Sequence, residues 1–221
     1  MALQPDLQVL DDPAGAAAAL LAAASGHVVV TGGSTPRRAY ELVAERRPDW
    51  SGVEIWFTDE RCVEPDHEHS NFRMVEAALL SRINGARPHR MPGELGPGEG
   101  AAAYERELAE HGPAGPFDLM LVGLGADAHI CSLFPNDEAL AERERRVVGV
   151  ETPGMAPFVP RITLTLPVVN TASRTVFLVT GEEKATAATR AFSGRPDPRY
   201  PGSLVDGPVT VLLDRTAAAG L

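Results

Sequence analysis

The sequence predicts an α/β protein built on a single doubly wound, mostly parallel sheet with helices on both faces, residues 1–221 forming one domain. Three observations carry this. Short β-branched and apolar runs recur along the chain, separated by segments of helical length. The runs are apolar throughout, not alternating, as strands are when helices cover both faces of a sheet. The strand-then-helix order repeats, with no internal repeat and no low-complexity linker.

Each element follows from local chemistry. Asp12 and Pro13 cap and start a helix that runs to about residue 24 and ends at Gly26. Residues 27–31 are a β-branched run ended by Gly32-Gly33. Ser34 or Thr35 then caps a second helix, with Pro36 at its first position and Arg46-Arg47-Pro48 closing it. Residues 53–58 read as a buried strand, and 70–83 as a helix capped by Ser70. The Pro- and Gly-rich stretch 87–100 reads as a surface connection, followed by a helix over 99–111. Residues 117–122 form another buried strand. Runs at 147–150, 162–166, 175–180 and 209–213 complete the strands, with a helix over 182–192 between the last two.

Composition excludes several classes of function. Hydrophobic residues make up 44% of the 221, too many for a disordered chain. The longest apolar stretch, 16–24, is too short to span a bilayer, and the acidic residues before it are not the flank of a signal peptide. A cytoplasmic protein is therefore expected. Lys and Arg number 20 against 30 Asp and Glu, a formal net charge of −10 that repels nucleic acid and anionic membranes. Neither is expected as a partner, and basic residues serving an anionic substrate must be placed locally. Cys62 and Cys131 match no metal-ligand spacing and read as free thiols in a reducing compartment. Either is a possible nucleophile, although a small buried hydrophobe is the simpler role.

Ligands of doubly wound sheets sit at the carboxyl ends of strands. Three motifs follow strand ends. In Gly32-Gly33-Ser34-Thr35-Pro36, glycines allow close backbone approach and the helix start offers N–H donors and a partial positive charge, a combination that suits phosphate. An ordinary capped turn is the plainer alternative, and no Walker Gly-Lys-Ser/Thr follows. The second motif runs from Asp59-Glu60-Arg61 to Ser70-Asn71. His67 and His69, with Asp66 and Glu68, suggest a transition metal but lack a third ligand, so no metal is expected. A solvated loop with Asp59 or Glu60 paired to Arg61 is the alternative. The third motif, residues 123–135, formally contains G-x-G-x-x-A. A dinucleotide is rejected because the loop lies past mid-chain, Pro135 limits any following helix, and no strand ending in an acidic residue stands at the required distance. Its chemistry is Asp127 and His129, two apart and so pointing the same way in an extended loop: a base able to take a proton from water, with a carboxylate to fix its tautomer.

Taken together these segments resemble the 6-phosphogluconolactonase family over nearly the whole chain. The shared features are Gly32 to Pro36; Asp59-Glu60-Arg61 with Asp66-His67-Glu68-His69-Ser70-Asn71; the loop 123–135 ending Ser132-Leu133-Phe134-Pro135; the Arg-Ile-Thr-Leu-Thr run 161–165; and Gly181-Glu182-Glu183-Lys184. The resemblance implies a fold shared with glucosamine-6-phosphate deaminases. It implies hydrolysis of 6-phospho-D-glucono-1,5-lactone to 6-phospho-D-gluconate in the oxidative pentose phosphate pathway, without metal, nucleotide or other cofactor, by a monomer or weak homo-oligomer. His129 is then the general base with Asp127 beside it, Arg61 positions substrate or stabilises developing charge, and Asp59 is the accompanying acid. Gly33, Ser34 and Thr35 hold the phosphate together with Arg161 and Lys184. Where the family has Pro-Asp-Gly-His-Thr-Ala, this chain has Ala126-Asp127-Ala128-His129-Ile130-Cys131, so a positive φ at 128 is expected to be harder to reach, and Ile130 lacks a hydroxyl. Two other functions share these features: an amino-sugar phosphate isomerase/deaminase, and a non-catalytic sugar-phosphate-sensing domain.

Overall fold

A computed structural model describes residues 4–221. In chain order the elements are β1 (Asp6–Val9), α1 (Pro13–Ala23), β2 (Gly26–Val30), α2 (Ser34–Arg46), β3 (Val53–Phe57), β4 (Asp59–Arg61), α3 (Asn71–Ala78), β5 (Arg87–Pro88), α4 (Gly96–His111), β6 (Leu119–Val122), β7 (Val147–Val150), β8 (Arg161–Leu164), α5 (Leu166–Thr171), β9 (Thr175–Val179), α6 (Ala185–Phe192) and β10 (Val209–Leu213). Seven strands form a wholly parallel sheet in the order β1-β10-β9-β6-β2-β3-β5.

The expected single sheet is corrected in one respect. β4, β8 and β7 form a separate three-stranded antiparallel sheet. Only residues 151–160 join β7 to β8, fewer than a parallel crossover requires, so the two pair as neighbours. Three smaller differences have local causes. β1 is an exposed edge strand whose Asp6-Leu7-Gln8-Val9 carries little apolar signal. The stretch expected as a surface connection contributes the two-residue edge strand β5. Residue 166, expected to end a strand, begins α5, where Pro167 sets the helical φ.

The helix after β2 is capped by Gly33, at φ +101°, and not by Ser34 or Thr35, which are its first two residues and make no side-chain cap. Asp12 and Ser70 do cap, accepting from the N–H groups of Gly15 and Arg73.

Two buried tyrosines fix strand ends where the motifs begin. The Tyr40 hydroxyl accepts from Thr31 N–H at 2.9 Å and donates to Thr31 O at 2.8 Å, locking the chain as it leaves β2. The Tyr104 hydroxyl accepts from Phe57 N–H at 3.0 Å and donates to His89 O at 3.1 Å, doing the same for β3. Burial pushes both phenols well above their ordinary pKa. His89 itself is buried, its ring stacked on Trp56 at 3.9 Å, with Nε2 2.6 Å from Glu54 Oε2 and Nδ1 2.6 Å from Glu107 Oε1. It fastens α4 to the β3–β5 edge.

Candidate active site

A cavity of about 420 Å³ opens where β2, β6 and β9 end. Gly33, Ser34 and Thr35 line it from the turn into α2, Asp59 and Arg61 from β4, His129 from the loop after β6, Arg161 from β8 and Lys184 from beyond β9. The structure thus gathers eight of the nine candidate residues on one wall system; Asp127, the ninth, stands behind His129. A larger cavity of about 1020 Å³, floored by Leu140, Leu166, Phe177 and Phe192, holds none of them.

Asp127 Oδ1 lies 2.6 Å from His129 Nδ1 and also accepts the His129 backbone N–H at 3.1 Å. A carboxylate there selects the Nδ1–H tautomer, which leaves Nε2 with a lone pair. Burial works to raise the Asp127 pKa, but the hydrogen bonds from His129 and its charge outweigh this and hold the carboxyl below its ordinary value. The ring packs on Phe134, centroids 4.7 Å apart.

The contact is not that of an extended loop. Residues 125–129 close on themselves: Gly125 N–H donates to His129 O at 2.9 Å and Ala128 N–H to Gly125 O at 3.0 Å. Ala128 takes a φ of +67°, so this chain adopts the left-handed turn even without glycine. The conformation costs about 1–2 kcal/mol for an alanine, and the fit around it holds it there, including a 2.9 Å bond from Gly202 N–H to Ala128 O. Gly125 has its own necessity. A Cβ at that position would overlap His129 Nδ1 and the Asp127 carboxylate. The formal dinucleotide pattern is thus occupied by a glycine that makes room for an acid–base pair.

The acids of β4 are spoken for. Asp59, 5% exposed, accepts the Thr58 hydroxyl on Oδ1 at 2.9 Å and the Ser132 hydroxyl on Oδ2 at 2.7 Å. Ser132 N–H in turn donates to Thr163 Oγ1 at 3.1 Å. This network bolts the His129 loop to both β4 and β8. Glu60 accepts the backbone N–H groups of Arg61, Asn71 and Phe72 at 2.7, 2.7 and 2.8 Å and the Ser70 hydroxyl at 3.0 Å, so it caps α3 and does not pair with the Arg61 side chain. Burial pushes its carboxyl up, with those N–H groups pulling against the rise.

The cations are left without such partners. Arg61 Nη1 donates to His69 O at 2.7 Å, and its buried Nε has no partner. Arg161, 3% exposed, donates from Nε to Val159 O at 2.9 Å and from Nη2 to Pro157 O at 2.7 Å. The two arginines are direct cross-strand partners in the β4–β8 ladder. Among the described residues no carboxylate forms an ion pair with Arg61, Arg161 or Lys184. Burial, and then the charge of Arg61, lowers the Arg161 pKa.

His67 and His69 do not line the cavity; His67 Nδ1 accepts the His69 N–H at 3.1 Å. Burial first, then the charges of Glu151 and Glu60, push the Cys62 thiol up to about 12, and burial raises Cys131 as well, so neither is an activated nucleophile. Reasoning from sequence passed over Asn71, which lines the cavity and donates from Nδ2 to Asp59 O at 2.9 Å. It also passed over Ser132 and Thr163. Asn71 and Ser132 lie inside motifs that attracted notice for other residues; nothing in the sequence marks Thr163 as a partner of either.

Known proteins resemble this chain in sequence and fold. A family model described as glucosamine-6-phosphate isomerases/6-phosphogluconolactonase matches residues 11–213. The curated 6-phosphogluconolactonase of Nostoc sp. is 37% identical over 202 residues, covering 86% of this chain and 82% of its own. The crystal structure of 6-phosphogluconolactonase from Leishmania guyanensis superposes with a TM-score of 0.82 at 28% identity, covering 99% of each chain. A monomeric glucosamine-6-phosphate deaminase, 18% identical, superposes with a TM-score of 0.86 over 99% of this chain and 100% of its own, a likeness of fold alone.

Proposed function

Because the chain belongs to the glucosamine-6-phosphate isomerase/6-phosphogluconolactonase family, its reaction is hydrolysis of a sugar-phosphate lactone, and we propose that His129 drives it by taking a proton from water. One observation carries this reading. An imidazole with Nδ1 anchored on Asp127 lines the same cavity as the α2 N-terminus and three cations without ion-pair partners.

The phosphate docks on the N–H groups and hydroxyls of Ser34 and Thr35, where the helix dipole favours an anion, with Arg161 and Lys184 closing over it. Gly33, at φ +101°, turns the backbone so that these donors face the cavity. The anchored ring presents C1 to a water held by His129 Nε2, supplying proximity. As water attacks C1, Nε2 receives its proton, and Asp127 stabilises the imidazolium. Arg61 meets the oxyanion. The C1–ring oxygen bond then breaks, the imidazolium returns the proton to the departing oxygen, and the new acid ionises. In this reading Asp59 acts on the position of the loop, its own oxygens being engaged by hydroxyls.

Among the described residues no helix is long and apolar enough to cross a membrane. The reading places the enzyme in the cytoplasm as a monomer or weak homo-oligomer. The test is acid release from freshly made 6-phosphogluconolactone, corrected for spontaneous hydrolysis. His129→Ala is expected to lower kcat by about 10²- to 10⁴-fold; unchanged turnover refutes the assignment, and ammonia release from glucosamine 6-phosphate would favour the deaminase.

A further inference from the structure

We propose that Asn71 is a positioning residue for this reaction: its carboxamide is the spacer that sets how far the phosphate turn stands from β4. It thereby sets where the C1 end of an anchored sugar phosphate comes to lie. The inference deepens the proposed reaction and rests on it for the roles of the turn and of β4.

Gly32 has no conformational need to be glycine, since its φ lies outside the left-handed region that Gly33 occupies. Its need is for space. A Cβ there would overlap the Asn71 carboxamide, and the three nearest atoms it would meet all belong to that side chain. Asn71 is held from the other side by β4. Its Nδ2 donates to Asp59 O at 2.9 Å and its backbone N–H to Glu60 Oε1 at 2.7 Å, so the residue that opens α3 is tied to β4 at both ends. The side chain is 2% exposed, lines the cavity, and leaves Oδ1 without a partner. A buried oxygen left unpaired is costly. The amide therefore serves through its Nδ2 bond and its bulk, not through its oxygen.

Other ties between the strand ends stop short of the turn. Thr58 Oγ1 donates to Thr31 Oγ1 at 3.1 Å, and Tyr40 holds the Thr31 backbone. The next contact outward is Gly32 against Asn71. With phosphate fixed at Ser34 and Thr35 and Arg61 carried by β4, movement of the turn against β4 shifts C1 relative to His129. A misplacement of about 1 Å costs about 10² in rate.

A double-variant cycle tests this, read by steady-state lactone hydrolysis and by calorimetric titration with inorganic phosphate and with 6-phosphogluconate. Asn71→Ala is expected to lower kcat by about 10- to 100-fold while inorganic phosphate binds within about twofold of wild type. Gly32→Ala drives a methyl group into the carboxamide and is expected to lower kcat at least as far. In the double variant Gly32→Ala/Asn71→Ala the colliding atoms are gone, so the two losses do not add, and it is no slower than Gly32→Ala alone. A side chain that only stabilised the fold would lower the unfolding midpoint and leave kcat of the folded protein unchanged. A kcat for Asn71→Ala within about threefold of wild type overturns the proposal, as do losses that add in the double variant. A fall in phosphate affinity that matches the fall in kcat also overturns it, by making Asn71 part of the phosphate site. Should Asn71→Ala fail to fold, the shorter and still polar Asn71→Ser takes its place in the kinetic test. A wild-type protein that hydrolyses no lactone refutes the proposed reaction but not the spacing, which binding then reads: Asn71→Ala weakens 6-phosphogluconate by about tenfold and leaves inorganic phosphate unchanged, and equal effects on the two overturn it.

Discussion

Asp127→Asn separates the role of the carboxylate's charge from that of its shape. The native oxygen sits 2.6 Å from Nδ1. An amide oxygen in its place accepts the same bond without the charge. In the ground state the difference is that between a hydrogen bond to an ion and one between neutral groups, about 1 kcal/mol. It grows as the ring becomes an imidazolium: unit charges ~4 Å apart at an effective dielectric of ~20 attract by about 4 kcal/mol. Both side chains are partly open to solvent, at 20% and 25% exposure, which screens the pair. A loss of about 2–3 kcal/mol in the transition state, or about 30- to 150-fold in kcat, follows. An asparagine that turns its NH₂ towards Nδ1 moves the ring proton to Nε2 and puts the loss at the upper end. KM is expected to hold, since Asp127 does not line the cavity. The assay is steady-state acid release beside His129→Ala. A kcat within threefold of wild type, or a rise in KM alone, refutes the reasoning. Stability gives a second check. The Asp127 pKa is depressed on folding, so its contribution is complete above the ordinary carboxyl value of 3.8 and is lost as pH falls through the lower folded value. The part of the stability gap between wild type and Asp127→Asn that comes from this depressed carboxyl is therefore present above about pH 3.8 and is lost in acid below it.

Two further predictions concern groups outside the chemistry. Native Cys62 and Cys131 are expected to resist iodoacetamide at pH 8, read by mass spectrometry, and to react on unfolding; rapid native labelling of Cys62 would contradict its raised pKa. His89→Leu leaves Glu54 and Glu107 facing an apolar side chain, and should lower unfolding free energy by about 2 kcal/mol, a buried-pair loss discounted for the partial exposure of both carboxylates. Its kcat should be unchanged, and a matching fall in kcat would tie α4 to the reaction.

The parallel sheet was legible because β2, β3, β6, β9 and β10 are runs that only a doubly covered sheet buries. The antiparallel sheet was not, because Val147–Val150 and Arg161–Leu164 carry the same apolar character and pairing partners leave no trace in composition. At the site, residue types and spacing pointed to Asp127 and His129, but for an incomplete reason. They meet through a left-handed turn at Ala128, a backbone state that an alanine in the sequence argues against and that tertiary contacts impose. Likewise Ser34 and Thr35 read as caps, while the cap is the glycine before them.

The division of the molecule into two sheets also divides the labour of recognition. The parallel scaffold carries the base and the phosphate turn at its strand ends, and the small antiparallel sheet carries the paired arginines. Descendants of this gene that exchange residue 61 or 161 can alter how the sugar phosphate is held, but the loop after β6 that carries the base is fastened to the same small sheet through Ser132, Asp59 and Thr163, so those three must be kept.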